Sequence, residues 1–309
     1  MSQDTAEQRQ VRTRRLLVPF DGSPRAERAL SYACAAFPGD DVVALHVLTR
    51  DEETAIRGWV DAPGAFEDWA DEQRAQVDQE VFAGAHDVAD RFGRSVATDL
   101  AVGGVQQAVV DYWDGHDFDF LVLDVEGRGL RRVLGYLTGD PSERLARTPT
   151  MPAVLVNEAM DLPTEARSDA DRRIVVPFDR SARSRNALTF TCSVFPDADV
   201  TALCMNVVWG ADRTVVLDEF DAREERMSEL VATAERIAAE CGTTVDTVYG
   251  YGALDRAVLQ YLEGTAVDLV AVGTLGKATL EELASPSASE RLVRNCPVPL
   301  AVVPTVMER

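Results

Sequence analysis

A duplicated motif constrains the fold of this chain more than any other feature of its sequence. Residues 16–20 form a short apolar run that ends in Asp21, and residues 174–178 form another that ends in Asp179. At the same spacing, further residues of the first copy recur in the second: Ala29 as Ala187, Leu30 as Leu188, Cys34 as Cys192 and Phe37 as Phe195. Matching pairs continue to the end of both copies at slightly shorter spacings, among them Asp119 with Asp268 and Pro152 with Pro299. A repeat of this extent indicates a duplicated domain.

The two predicted domains cover residues 1–157 and 172–309, and the polar stretch around Pro163 is the predicted linker. Within each domain, apolar runs of strand length alternate with segments of helical period. Strands are predicted at residues 16–20, 42–48, 96–102, 120–123 and 153–156, and again at 174–178, 200–208, 244–249, 269–272 and 300–303. Apolar strands that alternate with helices indicate an α/β fold in which a parallel sheet is covered on both faces.

The strand pattern also predicts where a ligand would lie. In a doubly wound sheet, the loops after the first and fourth strands face one crevice. This arrangement puts Asp21 beside the loop at residues 124–139 and Asp179 beside the loop at residues 273–287. The alternative for both aspartates is structural, because an aspartate in this position also caps the backbone amides of its own turn.

The charge balance restricts the classes of molecule that this protein is expected to bind. The chain carries 52 acidic and 31 basic residues, a net charge of −21, and Lys277 is its only lysine. Such a composition predicts a protein of a salt-rich cytoplasm, with an ordinary acidic protein as the alternative, because concentrated salt screens carboxylate repulsion. The sequence shows no basic patch that could bind the phosphates of a nucleic acid, so nucleic acid is not an expected partner. No apolar run approaches the roughly 20 residues of a membrane span, and residues 1–15 do not resemble a signal peptide.

We expect the stability of the protein to depend on salt. Transfer from about 1 M to about 0.01 M KCl lengthens the Debye length from about 3 Å to about 30 Å, so the acidic residues repel one another over a greater range. The expected result is a melting temperature lower by several degrees, measured by circular dichroism. A sodium chloride series is the control for an effect of potassium itself, and a melting temperature that is constant across salt would contradict the interpretation.

The cysteines and histidines show no catalytic or metal-binding pattern. The five cysteines contain no CxxC pair, which indicates reduced thiols, and Cys34 and Cys192 fall on the predicted buried faces of helices. The histidines His46, His86 and His116 do not cluster in the sequence. We therefore expect no catalytic residue, no metal site and no enzymatic turnover.

The glycine pattern after the fourth strand of the second copy is typical of a loop that binds phosphate. Gly273 and Gly276 stand three residues apart, and Ser287 follows in the same loop. Glycines let backbone N–H groups approach a phosphate, and a following helix adds the favourable end of its dipole. Two glycines at this spacing are a weak motif alone, but the pairing with Asp179 in a duplicated α/β domain adds weight.

Taken together, these motifs resemble the universal stress protein family, as a tandem two-domain member of haloarchaeal type. The resemblance runs from Arg15 to Val303 and is carried by the VPFD-x-S openings, by Leu45-His46-Val47, by the glycine pair and by SERL at residues 142–145 and 289–292. It implies a strand order of 3-2-1-4-5 in each copy. It also implies dimerisation through the last strand, hence an internal pseudo-dimer that leaves further homodimerisation open, and a cytoplasmic regulatory or binding role in stress.

The resemblance also assigns a site. Some members bind ATP with a Gly-x2-Gly-x9-Gly-Ser/Thr loop, the aspartate after the first strand and the residue after the second-strand histidine. In the second copy these positions and their neighbours are Pro177, Asp179, Met205, Val272, Gly273, Gly276, Ser287, Ala288 and Ser289. In the first copy they are Asp21, Val47, Gly127 and Gly139.

The second loop departs from the family pattern at one position. Pro286 stands where the third glycine is expected, and proline has no backbone N–H to donate. The loss of one charge-assisted hydrogen bond costs about 1.5–3 kcal/mol, which weakens a nucleotide site without abolishing it.

The first loop departs further. Counting forward from Asp119 puts Asp124 and Gly127 at the glycine positions, whereas counting back from Gly139 puts Glu126 and Gly129 there. Either register leaves a carboxylate at the first glycine, and a charge about 4 Å from a phosphate costs about 4 kcal/mol at an effective dielectric constant of about 20. We therefore expect ATP, if it binds at all, in the second domain alone.

Two other functions remain open. One is a protein-interaction scaffold in which both sites are empty and the domains form an internal pseudo-dimer, although the sequence names no protein partner. The other is a nucleotide hydrolase or ligase of related fold. It is disfavoured, because residues 21–23 and 179–181 do not form the Ser- and Gly-rich loop that such an enzyme would need after its first strand.

Overall fold

A computed structural model describes residues 12–48, 75–125, 151–205, 219–250, 253–275 and 295–305, together with Leu292. In the first half the elements are β1 Arg15–Pro19, α1 Pro24–Ala36, β2 Asp41–Leu48, a π-helical segment Asp78–Phe82 that continues into α2 Ala83–Arg91, β3 Ala97–Val102, α3 Val105–Asp114, β4 Phe120–Asp124 and β5 Ala153–Val156. After a 3-10 turn at Asp169–Asp171, the second half has β6 Arg173–Phe178, α4 Ala182–Val194, β7 Asp199–Met205, α5 Glu219–Glu240, β8 Asp246–Gly250, α6 Leu254–Gly264, β9 Leu269–Leu275 and β10 Leu300–Thr305.

The described strands form one ten-stranded sheet in the order β3-β2-β1-β4-β5-β10-β9-β6-β7-β8. Within each half the neighbouring strands are parallel and follow the order 3-2-1-4-5 that the resemblance implies. Strands β5 and β10 pair antiparallel, with Leu155 opposite Leu300 and Ala153 opposite Val302. The prediction of two tandem doubly wound α/β sheets is confirmed, and the two sheets join edge to edge within one chain.

The sequence pattern explains these elements. The β1 residues Leu16, Leu17 and Val18 are fully buried, as strands covered on both faces require. Helix α1 begins where the Oγ atom of Ser23 accepts a hydrogen bond from the Ala26 amide over 3.3 Å. The fourth strand of the second half, which was predicted at residues 269–272, continues to Leu275. The predicted strand at residues 200–208 is present as far as Met205, and the rest of that prediction lies outside the described residues.

Cysteines 34 and 192 are confirmed as core residues. Cys34 and Cys192 are fully buried and free, and burial raises the pKa of both thiols, that of Cys192 to about 12. A thiol with so high a pKa is protonated and unreactive at neutral pH. No helix in the described ranges is both long and apolar enough to cross a membrane.

Two buried arginines at matching positions connect the halves. The Nη1 atom of Arg14 donates to the carbonyl of Val194, the last residue of α4, over 3.1 Å. In return, the Nη2 atom of Arg172 donates to the carbonyl of Ala36, the last residue of α1. Each arginine therefore reaches the end of the other domain's helix, as in the isologous interface of a two-fold dimer.

The same two arginines share aromatic and acidic partners. The Arg14 guanidinium carbon lies 5.5 and 5.0 Å from the ring centres of Phe37 and Phe195, and that of Arg172 lies 4.6 and 5.7 Å from them. Asp169 forms ion pairs with both arginines, at 2.6 and 3.1 Å. The seam between the domains therefore combines charge, cation–π contacts and apolar packing.

Candidate functional site

The two aspartates that follow β1 and β6 hold their own turns. The Oδ1 atom of Asp21 accepts a hydrogen bond from the Ser23 amide over 3.0 Å, and that of Asp179 accepts one from the Ser181 amide, also over 3.0 Å. The intervening residue is left-handed in both turns, Gly22 at φ +73° and Arg180 at φ +64°. The structural role that we considered for these aspartates is thus present in both copies, and both side chains remain exposed on the crevice.

Asp179 has an additional partner that Asp21 lacks. The hydroxyl of Ser184 donates to Asp179 Oδ1 over 2.8 Å, whereas the matching position in the first half is Ala26. Partial burial acts to raise the pKa of Asp179, but the hydrogen bonds from Ser181 and Ser184 outweigh it and lower the pKa below its usual value. Asp179 is therefore ionised at neutral pH. The sequence signal for Ser184 is its place three residues after the N-cap Ser181.

The sheet register decides which residue of the first half corresponds to the first glycine. Asp124 lies opposite Val156 in the ladder between β4 and β5, and Gly273 lies opposite Val303 in the matching ladder between β9 and β10. Asp124 is therefore the counterpart of Gly273, and the register counted forward from Asp119 is the one that the sheet adopts.

Asp124 carries a buried carboxylate at this position. Its side chain is only 4% exposed, and its Oδ2 atom lies 2.5 Å from Nη1 of Arg28. Burial raises the pKa of Asp124, and the nearby Arg28 and Arg25 counter the effect only in part. Arg28 was not predicted, because 96 residues separate it from its partner and its counterpart in the second half is Asn186.

Gly273 is held tightly by the neighbouring helix. A Cβ atom built on Gly273 would lie 2.0 Å from the carbonyl oxygen of Arg183 and 2.4 Å from its carbonyl carbon. The first turn of α4 therefore lies against the end of β9 at a distance that only glycine permits. This packing accounts for the glycine whether or not a ligand binds.

The other predicted positions lie at neighbouring strand ends. In the second half β6 lies between β7 and β9. The carboxyl ends of these three strands therefore bring together Pro177, Asp179, Met205, Val272 and Gly273. Met205 is buried, and its sulfur packs against Gly250. In the first half Asp21 follows β1, and Val47 lies near the end of the adjacent strand β2. The remaining predicted residues lie outside the described ranges: Gly276, Ser287, Ala288, Ser289, Gly127 and Gly139.

His46 and the paired aspartates Asp119 and Asp268 have structural partners. The Nδ1 atom of His46 lies 2.8 Å from the Phe20 carbonyl, which fixes β2 beside the end of β1. Asp119 and Asp268 accept hydrogen bonds from the first amides of β1 and β6 over 2.9 and 2.8 Å. These aspartates lie at the amino ends of the strands, opposite the crevice, and they join the first and fourth strands of each domain.

Comparison with known proteins agrees with this architecture. The sequence profile of the universal stress protein family matches residues 12–157 and again residues 171–304. A universal stress protein of Methanocaldococcus jannaschii is 25% identical over 138 residues, which cover 43% of this chain and 81% of the relative. The crystal structure of a universal stress protein from Archaeoglobus fulgidus matches 94% of this chain and 96% of its own length, with a TM-score of 0.61 and 17% identity, so it shares the fold.

A solved structure of a smaller relative contains a nucleotide. It is described as a universal stress protein in complex with cAMP, and it matches 44% of this chain and 99% of its own length with 16% identity. Its TM-score is 0.35, so this likeness carries no argument about the present chain. The two profile matches together span most of the sequence. The chain therefore belongs to the universal stress protein family and carries the family's domain twice.

Proposed function

We propose that this protein is a cytoplasmic regulatory or binding module of the stress response that binds ATP, or a closely related adenine nucleotide, in its second half and not in its first. The observation that carries the proposal is the difference at one sheet position. In the first half the strand end is occupied by the buried ion pair of Asp124 with Arg28. In the second half the same position is Gly273, which places no side chain in the crevice.

Electrostatics support the proposed asymmetry. In the first half a phosphate would approach the Asp124 carboxylate, whose positive partner Arg28 is already engaged. In the second half Asp179 is ionised and its Oδ1 atom is fixed by Ser181 and Ser184. An ionised and oriented carboxylate suits the hydroxyl donors of a ribose, because hydrogen bonds to charged acceptors are the stronger class.

Titration calorimetry of the full chain with ATP, in about 1 M KCl to screen the acidic surface, tests the proposal. We expect one nucleotide per chain. Asp179→Asn should weaken binding by about tenfold or more, because a charge-assisted hydrogen bond contributes about 1.5–3 kcal/mol. Asp21→Asn is the matched control, since it changes the same turn in the first half, and it should leave the affinity unchanged.

Two outcomes would contradict the asymmetric site. The first is binding of two nucleotides per chain, and the second is loss of binding in Asp21→Asn with full affinity in Asp179→Asn. Melting temperatures of both variants separate a lost contact from a lost fold. The same samples, assayed for released phosphate, test our further proposal that the protein does not turn over ATP.

An interaction scaffold without nucleotide is the second candidate. It is favoured by the capped turns, since Asp21 and Asp179 already accept the amides of their own loops. The antiparallel pairing of β5 with β10 also joins the two domains without a second chain. Absence of any calorimetric or thermal response to ATP, ADP, AMP and cAMP would favour this candidate over the first.

A further inference from the structure

Ser184 is a buried serine in the first turn of α4, beside the crevice of the second half. It is 5% exposed, and its hydroxyl donates to Asp179 Oδ1 over 2.8 Å. Asp179 itself is exposed on the crevice. A molecule in the crevice therefore meets the Asp179 carboxylate, and Ser184 acts on such a molecule through that carboxylate.

The Ser184 hydroxyl belongs to a closed ring of hydrogen bonds. The backbone amide of Asp179 donates to Ser184 Oγ over 3.3 Å, and the Oγ atom donates in turn to the Asp179 carboxylate. A competing acceptor, the Ser181 carbonyl, lies farther from Oγ, at 3.2 Å. Because a hydroxyl has a single proton to donate, the shorter bond to the charged acceptor is favoured. Ser184 thus ties the side chain of Asp179 to the main chain of the same residue.

The two oxygens of the Asp179 carboxylate have different tasks. Oδ1 accepts from the Ser181 amide over 3.0 Å and from the Ser184 hydroxyl over 2.8 Å. Both of these bonds end on Oδ1, which leaves Oδ2 to accept a hydrogen bond from a ligand. An ionised carboxylate offers acceptors only, so Oδ2 selects a donor such as a hydroxyl.

The first half forms the same turn without this serine. Ala26 stands at the place of Ser184, yet Asp21 Oδ1 accepts the Ser23 amide over the same 3.0 Å as in the second half. The helix cap is also present in both halves, since Ser23 and Ser181 each accept an amide of the first helical turn. The turn and the cap therefore do not require Ser184, and what it adds is the second bond to the aspartate.

We propose that Ser184 is a positioning residue of the second-half nucleotide site, where it holds Asp179 in one orientation with Oδ1 occupied and Oδ2 left for a hydroxyl of the ligand. This inference rests on the proposed function. Fixing the carboxylate before the ligand arrives avoids the entropic cost of ordering it during binding. For one side chain this cost corresponds to about two- to tenfold in affinity.

A double-mutant cycle on the affinity for ATP, measured by titration calorimetry of the full chain in about 1 M KCl, tests the proposal. Ser184→Ala should weaken binding by about two- to tenfold, because the carboxylate must then be ordered by the ligand. In an Asp179→Ala background the same substitution should have no further effect, since Ser184 acts through the carboxylate. Ser193→Ala, at an exposed serine near the other end of α4, is the matched control and should leave the affinity unchanged.

The possible failures can be told apart. Absence of ATP binding by the wild type would overturn the proposed function and this inference with it. Binding that requires Asp179 but is unchanged in Ser184→Ala would overturn this inference alone. So would an equal loss in both backgrounds, which would mean that Ser184 serves the fold. Melting temperatures verify folding, and Ser184→Cys, with a thiol that donates only weakly, gives the same comparison if the alanine variant does not fold.

Discussion

Replacing Arg172 by alanine is expected to lower the free energy of unfolding by about 3–5 kcal/mol, the usual cost of removing one partner from a buried ion pair. The Arg172 side chain is 3% exposed. Its loss leaves Asp169 and the Ala36 carbonyl without this donor and opens space above Phe37. Denaturant unfolding followed by circular dichroism measures the change.

An exposed arginine gives the matched control. Arg236 pairs with Glu240 one helical turn away, and both side chains are more than half exposed, at 56% and 61%. Arg236→Ala should cost less than about 0.5 kcal/mol, because such pairs contribute little. A cost for Arg172→Ala as small as that of the control would show that the seam does not depend on this contact.

The pseudo-two-fold arrangement makes a second measurement informative. Arg14 and Arg172 share Asp169 and the two phenylalanine rings, so their effects should not be additive. Arg14→Ala, Arg172→Ala and the double variant form a cycle, and we expect the double variant to cost more than the sum of the two single variants, because each single variant leaves Asp169 paired with the remaining arginine. Strict additivity would mean that the two arginines act at separate places.

The fold could be predicted from the sequence because the information lay in the repeat. Apolar runs at matching places in the two copies predicted ten strands and a parallel sheet in each domain. The family resemblance predicted the strand order 3-2-1-4-5 within each sheet. The arginines of the seam were not predicted, although the repeat contained a signal: Arg14 and Arg172 each stand just before the first strand of their domain. Arginine before a strand is ordinarily a solvated residue, so only the pairing of β5 with β10 reveals why it is buried here.

The candidate site was predicted only in part. The predicted strand order brings Asp179 close to Gly273, and in the structure their strands β6 and β9 are neighbours. The choice between two registers for the first loop could not be made from the sequence, because insertions in a loop shift the count, whereas the β4–β5 ladder fixes Asp124 directly. The partner Arg28 lies on a different element, and no local pattern links it to Asp124. Predictions for the loop residues Gly276 and Ser287 stay predictions.

Replacing Gly273 by alanine should destabilise the protein by about 3 kcal/mol, at the upper end of the range for overpacking. The new Cβ atom would lie 2.0 Å from a carbonyl oxygen of α4, and backbone cannot move aside as the end of a flexible side chain can. Gly39→Ala is the matched control, since a Cβ atom there meets nothing within 4 Å. It should be neutral or stabilising by about 0.4–1 kcal/mol through the unfolded state.

The Gly273→Ala variant also distinguishes two explanations for the presence of glycine at this position. If Gly273 is present for helix packing, the loss of stability appears in nucleotide-free protein and is as large as stated. If the glycine serves a phosphate alone, Gly273→Ala unfolds like the wild type without nucleotide and differs only in the calorimetric titration with ATP. The 2.0 Å approach to Arg183 leads us to expect the first result. In that case Gly273 by itself is no evidence for a nucleotide, and the functional argument rests on Asp179 and on the contrast with Asp124.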